Sequence, residues 1–94
     1  MKSAFERAME KFGGGELKDY TDDQKAELKD IDQRYEAKAV QARFDARRRL
    51  REAGGDPEKA KQIQDDLAVE LASIEEKRDR DKQRLREQFD AANA

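Results

Sequence analysis

The chain has 94 residues, 35% apolar and 47% charged, so it holds at most one domain, with a small buried core. Its 21 basic residues nearly balance 23 acidic ones, and a net charge of −2 supplies no global field to gather nucleic acid or an anionic membrane. Neither histidine nor cysteine occurs, which excludes a disulfide framework, a zinc finger, a thiol nucleophile and an imidazole base.

Leu, Ile, Val and Phe together number only 15, whereas Ala, Glu, Lys, Leu and Arg sum to 52, the composition of long helices and coiled coils. The fold class is therefore all-α: an antiparallel, coiled-coil-like two-helix hairpin with a short N-terminal amphipathic helix, assembling into a helical bundle. No apolar run is long enough for a transmembrane span or the core of a signal peptide, so a soluble, cytoplasmic protein is expected.

Residues 1–12 form the first unit. Ser3 followed by Glu6 is a capping box, and Phe5, Ala8, Met9 and Phe12 recur on one face of a helix that Gly13 then ends. At under three turns such a helix is not stable alone, so the face of Phe5, Met9 and Phe12 is expected to dock. Residues 13–20 read as a Gly-rich linker, able to span roughly 27 Å when extended.

Residues 21–94 are expected to form the long hairpin, with its turn at 54–57. Thr21 and Gln24 make a second capping box, and Asp22 and Asp23 place negative charge at the helix N-terminus. Gly54 ends this helix near Ala53; Asp56 as N-cap and Pro57 as first helical residue then start another.

Each long helix carries an apolar stripe. Leu28, Ile31, Tyr35, Ala39, Ala42, Ala46, Leu50 and Ala53 fall within about 40° of one line on the first. Ala60, Ile63, Leu67, Leu71, Ile74, Leu85, Phe89 and Ala92 do the same on the second. Folding back sets Ala46 near Ile63 or Leu67, Ala39 near Leu71 and Tyr35 near Ile74, small against large. Phe89 is expected to overhang the first helix and offer the N-terminal helix a dock.

Charge favours the same orientation. Residues 21–36 carry six acids and three bases, residues 42–53 five bases and two acids, and the second long helix repeats that polarity, a pattern that two chains exchanging their second long helices would satisfy equally. The stretch Glu75 to Arg84 contains no apolar residue, and Arg78 and Asp81 stand where the stripe should continue. A solvated helix, with pairs such as Glu76 and Arg80 holding it and long side chains lying over Ile31 and Leu28, is preferred to a partner-binding or flexible section.

Candidate chemistry is sparse. The adjacent acids Asp22/Asp23, Asp65/Asp66 and Glu75/Glu76 point about 100° apart on a helix and do not converge on a metal. Ser3 and Thr21 serve as caps, Ser73 has no base in the pattern, and the triple glycine lacks the Gly-Lys-Ser/Thr ending of a phosphate loop. No catalysis, metal or cofactor is expected.

Opposite the stripe of the first long helix lies a second patch, Ala37, Val40 and Phe44 aligned with Ala26, followed by Arg47, Arg48 and Arg51. Its cover is the N-terminal helix, a different protein or, preferred, a second copy of the chain in a homo-oligomer, with a dimer favoured. The arginines beside an aromatic also fit phosphate and base contacts, making a nucleic-acid or ribosome-associated binder the alternative function, though the near-neutral chain disfavours it. Membrane binding is not expected.

The N-terminal box Lys2-Ser3-Ala4-Phe5-Glu6-Arg7-Ala8-Met9-Glu10-Lys11-Phe12, with Leu17, Thr21 and the stretch Ile31-Asp32 to Tyr35-Glu36-Ala37-Lys38, resembles a group of short, uncharacterised bacterial helical-hairpin proteins. That resemblance spans nearly the whole chain and implies a helical hairpin, with no activity, substrate or catalytic residue attached.

Overall fold

The computed structural model describes residues 20–94, and the N-terminal helix and residues 13–19 of the linker lie outside that range. Two helices follow one another, α1 over Asp22–Glu52 and α2 over Pro57–Asn93, and among the described residues there is no strand. They fold back on each other as an all-α hairpin whose longest dimension is 56 Å. A helix of 37 residues accounts for that length, at about 1.5 Å per residue.

Both helix starts follow from their caps. The Gln24 amide donates to the Thr21 hydroxyl at 3.1 Å while the Thr21 amide donates to the Gln24 side chain at 2.9 Å, so two otherwise orphaned donors are satisfied at once. At α2 the Asp56 carboxylate accepts from the amides of Glu58 at 3.0 Å and Lys59 at 3.3 Å, and Pro57 fills a position that needs no donor.

Between the helices the chain reverses on Gly54 and Gly55, with φ of 61° and 85°. No heavy atom would meet a Cβ at either position, so the demand for glycine comes from the left-handed backbone and not from crowding. The Ala53 amide still closes on the Arg49 carbonyl at 2.9 Å, and the Asp56 amide reaches the Ala53 carbonyl at 3.2 Å.

Burial across the seam is uneven. Leu28, Ile31, Ala39, Ala42 and Ala46 of α1 are buried, whereas on α2 only Phe89 is, with Ile63, Leu67, Leu71, Ile74 and Leu85 half-buried. Size explains it: an alanine is roofed completely by a leucine or isoleucine facing it, and the larger side chain overhangs and stays part-wetted. The facing sets are those expected, since Ala46 shares a groove with Ile63 and Leu67, and Ala39 and Tyr35 share one with Leu71 and Ile74.

Phe89 departs from expectation. It does not overhang α1: it is 7% exposed, packed with Leu28 and with Tyr20, whose ring meets it edge-on at 5.5 Å between centroids. Tyr20 is therefore a core residue and not the end of a linker. It stands two positions ahead of the first helical residue and folds its ring over the gap beside Leu28, while its hydroxyl donates to Asp90 at 3.0 Å. Gln24 and Asn93 exchange side-chain amide bonds at 3.1 and 3.2 Å close by, tying the two ends of the hairpin together.

Candidate interaction surfaces

Three places on the hairpin bear on function: the polar stretch of α2, the grooves beside the seam and the outer face of α1. The polar stretch is continuous helix from Glu75 through Arg84. Asp81, standing on the stripe, accepts a hydrogen bond from the Tyr35 hydroxyl across the seam. Lys82 lies 3.0 Å from Asp32, with its side chain only 21% exposed. A hydrogen-bonded layer thus replaces apolar contact, and Ile31 and Leu28 beside it remain buried.

Within α2 the same stretch is held by Arg80 on Glu76 at 2.6 Å and by Arg78 on Glu75 at 3.6 Å. These exposed pairs contribute a few tenths of a kcal/mol each. The bond to the Asp81 carboxylate is the main cause that holds the Tyr35 hydroxyl above the usual phenol pKa. Partial desolvation and the Asp81 charge add to it, while Arg34 and Arg84 pull the other way. Lys38 sits 4.8 Å over the same ring in a cation–π contact.

The sequence stripes named Tyr35 and Asp81 as seam positions but paired Tyr35 with Ile74 only. The signal was present: a phenol on one seam and a carboxylate on the other, in a segment where no apolar partner is available.

Near the open end a groove of about 560 Å³ has Ala26, Ile31 and Leu85 as its apolar lining and Asp30, Arg34 and Arg84 among its charged residues. Arg34 is bound to Asp30 at 3.2 Å. Both side chains are well exposed.

On the outer face of α1, Val40 and Phe44 are 53% and 61% exposed, and Ala37 is exposed with them. Arg47, Arg48 and Arg51 continue the face toward the turn, all exposed, with Arg48 only 4.0 Å from Glu52 and no ion pair at Arg47 or Arg51 among the described residues. A shallow groove of about 760 Å³ runs past Ala37 and Val40, bordered by Asp32, Gln33, Glu36 and Arg78. The sequence pattern placed these residues on one face, and that face is exposed in the hairpin. It missed Val69, 72% exposed on the outer side of α2, because a single valine among Asp65, Asp66 and Glu70 makes no stripe.

The candidate docking face at Phe5, Met9 and Phe12 lies outside the described residues. Among the described residues no group of three or more acids converges as a metal site, and no helix is long and apolar enough to cross a membrane. Searches against family models, curated proteins and solved structures return no match to this chain.

Proposed function

We propose that the chain is a non-enzymatic structural or protein-interaction module that associates with a second copy of itself through the face of Ala37, Val40 and Phe44. One observation carries this reading: the two largest apolar side chains of α1 outside its seam are adjacent, aligned and more than half exposed. A two-helix hairpin with five buried residues on one helix and one on the other has little core of its own. Covering a second face supplies what it lacks, giving an oligomeric, coiled-coil-like bundle.

The non-enzymatic part rests on residue chemistry. The sequence has no histidine or cysteine, so an imidazole base and a thiol nucleophile are missing, and Thr21 is engaged as a cap. A cytoplasmic site of action, a place among the short bacterial helical-hairpin proteins that the chain resembles, and a docked helix at Phe5, Met9 and Phe12 belong to the same proposal.

Sedimentation equilibrium tests it. The wild type is expected as a dimer and the Phe44→Glu variant as a monomer, because a buried unpaired carboxylate is costly at an apolar interface. A monomeric wild type, or a variant of unchanged mass, would refute the reading.

A second reading, binding of nucleic acid at the same end of α1, is favoured by Arg47 and Arg51 standing outside any ion pair among the described residues, beside an exposed phenylalanine ring. Salt-sensitive retention on RNA, lost in an Arg47→Glu/Arg51→Glu variant, is its signature.

A further inference from the structure

We propose that two copies of the chain pair through their α1 helices, antiparallel, about a twofold axis between Lys38 and Ala39, in a single coiled-coil register. This rests on the self-association reading above and adds orientation and register to it.

The outer face of α1 has a spacing that its seam does not exhaust. From Ala26 it advances in alternating steps of four and three residues through Asp30, Gln33, Ala37, Val40 and Phe44 to Arg47 and Arg51, and all eight are exposed. Alternating four and three is the heptad rhythm of helices that wrap on each other. The line is apolar in the middle, with an acid toward its start and bases toward its end.

That gradient selects the orientation. A parallel, in-register pair would set Arg47 on Arg47, Arg51 on Arg51 and Asp30 on Asp30. An antiparallel pair centred between Lys38 and Ala39 places Ala37 against Val40 of the second copy in its two central layers and Phe44 against Gln33. Asp30 then meets Arg47, and Ala26 meets the stem of Arg51.

Flanking positions select the register. In this alignment Glu36 faces Arg43 of the second copy and Glu27 faces Arg48, each twice by symmetry, while Arg34 faces the uncharged Gln41. Sliding one heptad in one direction sets Arg43 on Arg43 and Arg34 on Arg48. Sliding the other way sets Glu36 on Glu36, Arg34 on Arg34 and Lys29 on Arg43. Of these three registers, the central one alone is free of like-charge contacts.

The groups this pairing uses are available to a partner. Glu27, Glu36, Arg43 and Arg47 form no ion pair among the described residues. Asp30 and Arg48 are held only by exposed contacts to Arg34 and Glu52 within their own helix. Because the outer face lies opposite the seam, the assembly is a flat four-helix layer with the two α1 helices inside and the two α2 helices at the edges.

The test is a charge swap at the flanks, read by sedimentation equilibrium and by native mass spectrometry of mixtures. Glu36→Lys alone sets an ammonium against Arg43 of the second copy, and Arg43→Glu alone sets a second carboxylate against Glu36. Each variant is therefore expected to dimerise about tenfold more weakly than wild type. Mixed in equal amounts, the two variants are expected to form the heterodimer in preference to either homodimer. The double variant in one chain is expected to recover the wild-type affinity.

A dimer abolished by Phe44→Glu but showing no preference for the mixed pair would overturn the antiparallel register and leave self-association standing. A dimer that survives Phe44→Glu, or a monomeric wild type, would overturn both. A monomer destabilised by Phe44→Glu would assign the face instead to the chain's own N-terminal segment, and a monomer retained on RNA would assign it to nucleic acid.

Discussion

The two halves of the hairpin solve one packing problem with different means. At the open end, Leu28 of α1 packs with Phe89 of α2 and with Tyr20, and the polar pairs Tyr20–Asp90 and Gln24–Asn93 close over them. Toward the turn, Ala39, Ala42 and Ala46 take the places of large side chains, and the residues facing them are only half-buried. Large side chains gain burial by area, while alanines gain it by letting the helices approach. An end built on area is vulnerable to truncation, and an end built on approach is vulnerable to enlargement.

The sharpest way to break that contrast is Phe89→Ala, expected to cost about 3 kcal/mol because it removes the ring on which Tyr20 and Leu28 pack. Urea unfolding at fixed protein concentration measures it, and a loss comparable to that of a surface substitution would show the open-end cluster to be dispensable.

In the other half, Ala42→Leu is expected to cost about 2 kcal/mol by overpacking a seam whose helices are held close, although the substitution adds apolar surface and barely changes helix propensity. Enlarging the exposed Ala68 of α2, which the seam and the outer face of α1 do not include, serves as the control. If the hairpin accepts leucine at residue 42 without loss, close approach is not what organises the turn-side half.

Gly54→Ala isolates the turn from both halves. With φ at 61° and open space around the site, the penalty is backbone strain alone, about 1 kcal/mol. Asn at the same position, which tolerates left-handed backbone better, is expected to lose less, and equal losses for the two would contradict the strain account.

The smallest effect lies in the polar layer between the halves. Hydrogen bonding to Asp81 raises the folded-state pKa of the Tyr35 hydroxyl, so its stabilising contribution is complete below the ordinary phenol value of about 10 and fades as pH rises through the higher folded value. Wild-type stability is therefore expected to fall relative to Tyr35→Phe above about pH 10, with the gap between the two constant at lower pH. Thermal melts across that range read the difference, and parallel curves throughout would remove the hydroxyl from the account.

Elements were legible in the sequence wherever the deciding interaction is local. The Thr21–Gln24 box, Asp56 before Pro57, and Gly54 after Ala53 each act within four residues, and both seams follow from the angular spacing of a single helix. The outer patch at Ala37, Val40 and Phe44 was legible for the same reason, as a stripe on one element, and so was the acid–base pair of Glu76 with Arg80. Val69 was not, because a lone apolar residue has no pattern to reveal it.

What tertiary structure alone decided are the contacts between residues far apart in the chain. Tyr35 and Asp81 are 46 positions apart, Asp32 and Lys82 are 50, and Tyr20 and Asp90 are 70. Each pairing depends on the stagger of two helices past one another. Helical periodicity sets which residues face the seam and leaves undetermined how far one seam slides along the other. The register comes from the summed fit of alanines under leucines, the turn on two glycines, and a phenol meeting a carboxylate where apolar partners run out. Phe89 was misjudged for the same reason, since whether a residue at the end of one helix is covered depends on where the other begins and on the non-helical Tyr20 ahead of it.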